Sequence, residues 1–230
     1  DRRHLLDVAV HGAAGWTVRP LTLDGPETAF AAADGAVLLD ATETTWAVTP
    51  PDATTMALLP SLAPDLADPQ LRASMWNSVR LALFEGATTP AAVAELLVAA
   101  PPIEDTADGA RGLLPWVLDT ALPLAPDGTT ERFNAAVRAA VDRADAGSEI
   151  QLSAFRATVL TSLDHQDLER WIAGEGLPPG IVDDEDLRWK ARRRLAELGA
   201  TDRPALDAAL AEAPSSAATV HHARAVASLP

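Results

Sequence analysis

The chain has 230 residues, 48% of them apolar, and a formal net charge of −15 at pH 7. That size and composition give it enough apolar surface for one or two cores and exclude a disordered tail. The negative charge argues against nucleic acid and anionic membrane as partners, because phosphate surfaces are held mainly by Lys and Arg. Cysteine is absent, which removes disulfides, thiol nucleophiles and thiolate metal sites. No run of about 20 apolar residues occurs, and DRRHLLDVAVHG lacks the pattern of a signal peptide, so an intracellular, cytoplasmic protein is expected.

The first part of the chain reads as short extended runs. His4 to Val10, Trp16 to Leu23, Thr28 to Ala32, Ala36 to Leu39 and Thr44 to Val48 are separated by Gly, Pro and Asp. Alternation such as Leu21, Thr22, Leu23 is the pattern of a half-buried strand, so residues 1–52 are expected to form a small antiparallel β-sandwich piece. The Pro50, Pro51 pair ends strand geometry and opens a connector.

From Asp68 the period becomes helical. Asp68 and Pro69 open a helix through Leu83 with Gly86 beyond it, and Thr89 and Pro90 open the next. A third runs from about 105 to 124, with Pro115 set to kink or interrupt it. Further helices are expected at about 129–145, 148–163, 165–173, 184–198, 203–212 and 216–228, joined by connectors of a few residues. Short connections between amphipathic helices imply antiparallel pairs. The predicted fold class is therefore mainly α, with residues 53–230 an α-solenoid of HEAT-like hairpins.

The stretch Asp183 to Gly199 is the best marked of these. Leu187, Ala191, Leu195 and Leu198 recur on one face, four acids stand at the positive end of the helix dipole, and Gly199 suits a left-handed C-terminal cap. Asp202 and Pro204 then start a second helix carrying Leu206 and Leu210. Arg188, Arg192 and Arg193, with Lys190 and Arg194, could line a groove for a carboxylate or an acidic partner. Asp184–Arg188, Asp186–Lys190 and Arg193–Glu197 could equally be i,i+4 pairs.

Sequence motifs for catalysis are not found. Of the five histidines no two are four apart, and there is no H-E-x-x-H, G-x-S-x-G, phosphate loop or tyrosine. The aspartate-rich pieces at 105–109 and 183–186 lack the spacing of a calcium loop and read as solvated helix starts. His221 and His222 are neighbours on a helix, pointing about 100° apart, and are poor co-ligands. Trp76, Trp116, Trp171 and Trp189 fall in apolar stripes and read as core rather than as a binding cage.

The runs LRASMWNSVRLAL, GLLPWVLDTALP, GSEIQLSAFRA, WIAGEGLPPGI, DLRWKARRRLAELGATDRPALDAAL and HHARAVASLP resemble, in order and spacing, the C-terminal helical region of actinobacterial-type aminopeptidase N, a zinc-dependent gluzincin family of exopeptidases. RRHLLDVAVHG to VLLDATETTWAVTPPD resembles the end of that family's small β-sandwich domain, departing from it between Asp40 and Ala47. The resemblance implies a non-catalytic portion of a larger peptidase, which caps the catalytic chamber and controls peptide access. It places zinc and the catalytic residues in an upstream domain, so no catalytic residue, metal ligand or cofactor is expected within this stretch. The expected partners are the catalytic domain of the same polypeptide and peptides. Because the family continues past the position of Pro230 with further helices, a truncated end is expected, with Val220, Ala223, Val226 and Leu229 forming an exposed apolar face that favours self-association. The rival reading is a free-standing α-solenoid that binds a protein partner. An upstream H-E-x-x-H in the same reading frame separates the two.

Overall fold

The computed structural model describes residues 3–31, 35–45, 47–102 and 113–230. They divide between two compact units, the first built from Asp1–Pro102 with Asp119–Asp127 and the second from Ile103–Leu118 with Gly128–Pro230. The chain is mostly helical, with one small antiparallel sheet among the described residues.

In the first unit, β1 (His4–Gly12), β2 (Gly15–Leu23) and β3 (Val37–Leu39) pair antiparallel in the order β2-β1-β3. Gly12 faces Gly15 across a two-residue turn, and Gly15 takes φ +85°, a conformation that costs glycine little. Period-two alternation puts Leu6, Val8 and Val10 on one buried face, where Leu21, Leu23, Phe30, Val37 and Leu39 join them.

Two expected strands do not form. From Thr28 to Ala31 the chain has no ladder; the Arg19 guanidinium instead lies over the Phe30 ring at 4.5 Å and donates to the Ala31 carbonyl. Ala32 lies outside the described residues. In the Thr44 to Val48 run, the amides of Thr44 and Thr45 donate to the Asp40 carboxylate at 3.0 and 3.3 Å, which uses in a turn the donors a strand would need. Trp46 lies outside the described residues.

The segment read as a connector after Pro51 contains a helix, α1 (Ala53–Leu62). Asp52 caps it by accepting from Thr55 N–H at 2.6 Å, and the Thr55 hydroxyl in turn accepts from Val37 N–H at 2.9 Å, tying helix to sheet. Pro60 hides this helix from a reading of periodicity, yet it falls in the last turn. A short 3₁₀ turn, Ala63–Asp65, leads to α2 (Pro69–Phe84) and α3 (Pro90–Ala99), which start on the expected caps Asp68 and Thr89. Helix α3 packs on both α1 and α2.

Of the expected 105–124 helix, residues 105–112 lie outside the described residues. The remainder is helical over 113–116, widens to a π turn at Val117–Ala121 and closes with Leu122–Leu124. The change of helical register thus falls after Pro115, whereas an interruption was expected at the turn before it, where residues 111–112 lie outside the described residues. The wider turn also eases the approach of the Pro123 ring to the Asp119 carbonyl, which a regular α-helix would crowd.

The second unit holds α4 (Thr129–Arg143), α5 (Glu149–Thr161), α6 (His165–Ile172), α7 (Glu185–Glu197), α8 (Arg203–Glu212) and α9 (Ser216–Ala227). Ser148, Asp164, Asp184, Asp202 and Ser215 each cap a helix through their own side chain. The helices pack in consecutive pairs, α4 with α5, α6 with α7 and α8 with α9, and α7 packs on both α5 and α9. One connector is longer than expected. Residues 173–184 form a loop in which Gly174, Gly176 and Gly180 take positive φ, pinned by the buried Gln151 side chain, which accepts from Gly147 N–H at 2.8 Å and donates to the Pro179 carbonyl at 3.0 Å.

Helix α7 is buried on two faces. Leu187, Ala191 and Leu195, the predicted stripe, join Val141, Ala154, Phe155, Val159, Leu168, Trp171 and Ile181, with Leu198 at the margin. Trp189 and Ala196 point the other way, into Leu206, Ala218 and Ala225. Trp76, Trp171 and Trp189 are core residues, as read, while Trp116 is half-buried. On α9 the expected open face is divided: Val226 and Leu229 pack against the second cluster, leaving Val220 and Ala223 exposed. The fully buried residues of α9 are Ala218 and Ala225, so the face expected to be open is covered at its Val226 and Leu229 end only.

The two kinds of α7 surface give a direct comparison. Leu195→Ala is expected to cost about 2–5 kcal/mol, the range for a buried leucine that leaves a cavity, and Arg193→Ala to stay within about 0.5 kcal/mol. Urea denaturation of both variants checks this; equal small losses would mean that Leu195 does not fill the core.

Candidate functional site

The three arginines singled out on α7 do not form a single cluster of free charges. Asp184 is occupied as the helix cap, accepting from Leu187 N–H at 2.7 Å, so the expected Asp184–Arg188 pair does not form. Arg188 turns instead to Asp183, one residue further out, donating through Nε at 2.7 Å and through a second N–H. That hydrogen bond holds the Asp183 carboxyl below its ordinary range and raises Arg188 reciprocally. The other two expected pairs are present: Lys190 meets Asp186, and Arg193 Nε meets Glu197 at 2.9 Å. Arg194 shares Glu197 at 3.0 Å and also donates to the Ser162 carbonyl at 2.8 Å.

Arg192 is different. Its guanidinium lies over the Trp189 ring at 5.2 Å, three residues back on the same helix, and is half-buried. Burial is the main influence lowering its pKa, the field of Arg188 adds to it, and Glu212 opposes it. Among the described residues Arg192 makes no ion pair. Its i−3 spacing to Trp189 was readable in the sequence; what was not readable is which guanidiniums would be neutralised by their own acids.

Asp186 is a junction that the sequence did not suggest. Besides Lys190 it lies 3.8 Å from Arg156 of α5 and 3.6 Å from His221 of α9, so one carboxylate joins three helices. Burial alone would push its pKa up, but the Lys190 hydrogen bond and the fields of Lys190, Arg156 and His221 hold it below 3.8. His222 points away from His221, as their spacing predicts, and its Nε2 lies 2.7 Å from Asp207 with the ring edge-on to Trp189.

The sign of the resulting pH effect is fixed. A carboxyl depressed in the folded state contributes stability that is present above its unfolded pKa and lost as pH falls through the folded value. Wild type should therefore exceed Asp186→Asn in stability near neutrality, and the gap should close below about pH 4. Denaturation curves of both proteins between pH 3 and 7 test this. A gap that widens on acidification would contradict it.

Among the described residues no group of three or more His, Asp or Glu is arranged to hold a metal ion, and no helix is long and apolar enough to cross a membrane. The aspartates at 105–109 lie outside the described residues, and those at 183–186 serve as cap and ion-pair acceptors. No family model and no curated protein matches the chain. What the arginine face of α7 can do chemically is hold a carboxylate by charge-assisted hydrogen bonds; it carries no nucleophile or general base of its own.

Proposed function

We propose that this chain is a non-catalytic, C-terminal portion of an aminopeptidase N-like zinc peptidase, acting in the cytoplasm, where it covers the catalytic chamber and controls which peptides enter. In this reading the three-stranded sheet is the remainder of a β-sandwich, and the helices that follow are HEAT-like hairpins of an α-solenoid. The observation that carries it is the packing order of the second unit. Three consecutive hairpins associate through one helix of each, α5 on α7 and α7 on α9, which is the arrangement a solenoid requires. The ordered resemblance of the six helical runs supplies the family.

The same stack would serve a free-standing solenoid that binds a protein partner, and the half-buried Arg192 suits that reading equally. The test is the complete reading frame. An H-E-x-x-H with a downstream Glu ahead of this stretch, in a product that hydrolyses aminoacyl amides and stops on zinc chelation, supports the peptidase. A reading frame with no such motif overturns it in favour of the scaffold.

A further inference from the structure

We propose that Arg192 on its Trp189 platform is a recognition point for a peptide carboxylate. The proposal rests on reading the α7 face as a binding surface, and not on descent from a peptidase. Four observations lead to it. The neighbouring cations are already committed: Arg188 to Asp183, Lys190 to Asp186, Arg193 and Arg194 to Glu197. Arg192 is the α7 arginine whose charge is not met by a contacting carboxylate among the described residues.

Its guanidinium is also positioned in advance. Trp189 is itself only 3% exposed and packed within the second core cluster, so the platform beneath Arg192 is fixed by its neighbours. Trp189 is braced from its edge by His222, which Asp207 fixes in turn. A guanidinium held over an aromatic face keeps its N–H groups free for the two oxygens of a carboxylate, and part of its side-chain freedom is already spent before binding. Partial burial and the like charge of Arg188 both disfavour the charged form of Arg192, and an incoming carboxylate supplies the missing counter-charge.

Glu212, at the end of α8, is the one acid whose field reaches Arg192 favourably, yet it forms no ion pair with it among the described residues. It therefore acts as a weak internal competitor. A carboxylate brought by a partner takes the fork and also feels repulsion from Glu212.

Isothermal titration of the full chain with three small probes decides the matter. N-acetylglutamate amide offers a side-chain carboxylate, N-acetylglutamine with a free carboxyl offers a chain-end carboxylate, and N-acetylglutamine amide offers neither. At least one charged probe is expected to bind while the neutral one does not, and the tighter of the two identifies the source. Arg192→Gln should weaken that binding roughly tenfold. Arg192→Lys, which keeps the charge and loses the fork, should recover only part of it. Glu212→Gln should tighten it by roughly twofold to fivefold. Arg170→Gln, on α6, should leave it unchanged. The proposal fails if the neutral probe binds as well as the charged ones, if no probe binds, or if Arg192→Gln titrates like wild type. None of these outcomes bears on the reading frame, so the peptidase assignment stands or falls separately.

Discussion

Trp189→Ala is expected to be among the most damaging single changes in the second unit, costing about 3–5 kcal/mol. The indole fills the space between α7 and the last two helices, with Leu206, Ala218 and Ala225 around it, and small residues on the facing helix cannot close the void. The truncation also removes the surface under Arg192 and the ring against which His222 rests. Trp189→Phe retains most of the buried area and should lose less than half as much. Urea unfolding of the two variants distinguishes them. An alanine variant within about 1 kcal/mol of wild type would show that α8 and α9 can collapse onto α7 without it.

Gly180→Ala is the second large effect expected, and its cause is backbone rather than core. At φ +90° any side chain is strained, by about 1–2 kcal/mol. The added Cβ would also stand 2.2 Å from the Gly147 nitrogen and 2.7 Å from the Ala146 carbonyl carbon, and main chain cannot swing aside. The α6–α7 loop would have to move off the α4–α5 turn, breaking the hydrogen bond from Gln151 to the Pro179 carbonyl. A total on the order of 3 kcal/mol follows, since strain, clash and the lost hydrogen bond combine. Gly176→Ala is the informative contrast. Its Cβ would meet only the Arg170 guanidinium, a flexible side-chain end that can rotate away, so the cost should stay near the strain alone. Limited proteolysis across 173–184 and thermal melts rank the two. Equal losses would mean that the Gly147–Gly180 contact yields.

The helical half was legible because its signals are local. Asp68, Thr89, Ser148, Asp164, Asp184, Asp202 and Ser215 cap helices within three residues, and a cap can be read without knowing the fold. Helix α1 was missed because Pro50, Pro51 and Pro60 suggest a break, whereas the Asp52 cap and the docking of Thr55 on β3 outweigh it. The strands fared worse. Whether Thr44 and Thr45 join a ladder depends on the Asp40 carboxylate, whose left-handed φ of 52° no alternation pattern announces.

The α7 site was half legible for a related reason. Charge spacing identifies which pairs are possible, and three were proposed. It does not say that Asp184 is used up as a cap, that Asp183 folds back onto Arg188, or that Asp186 collects partners from α5 and α9. Those outcomes depend on helices far apart in sequence. Likewise the Leu187, Ala191, Leu195 stripe and the core role of Trp189 are legible in the sequence, whereas the second buried face that Trp189 and Ala196 form with α8 and α9 is not.

That double coverage sets the order in which backbone amides become accessible to solvent. An element with neighbours on both sides opens only when one of them departs, whereas an end element of a stack frays by itself. Amides of α7 should therefore exchange with deuterium at the rate of whole-unit unfolding, while α9, covered along one side only, where Ala218 and Ala225 are buried, exchanges through partial openings that denaturant barely accelerates. Helix α7 then works as the clock of the second unit: its last protected amides report the unit's full stability, read one residue at a time.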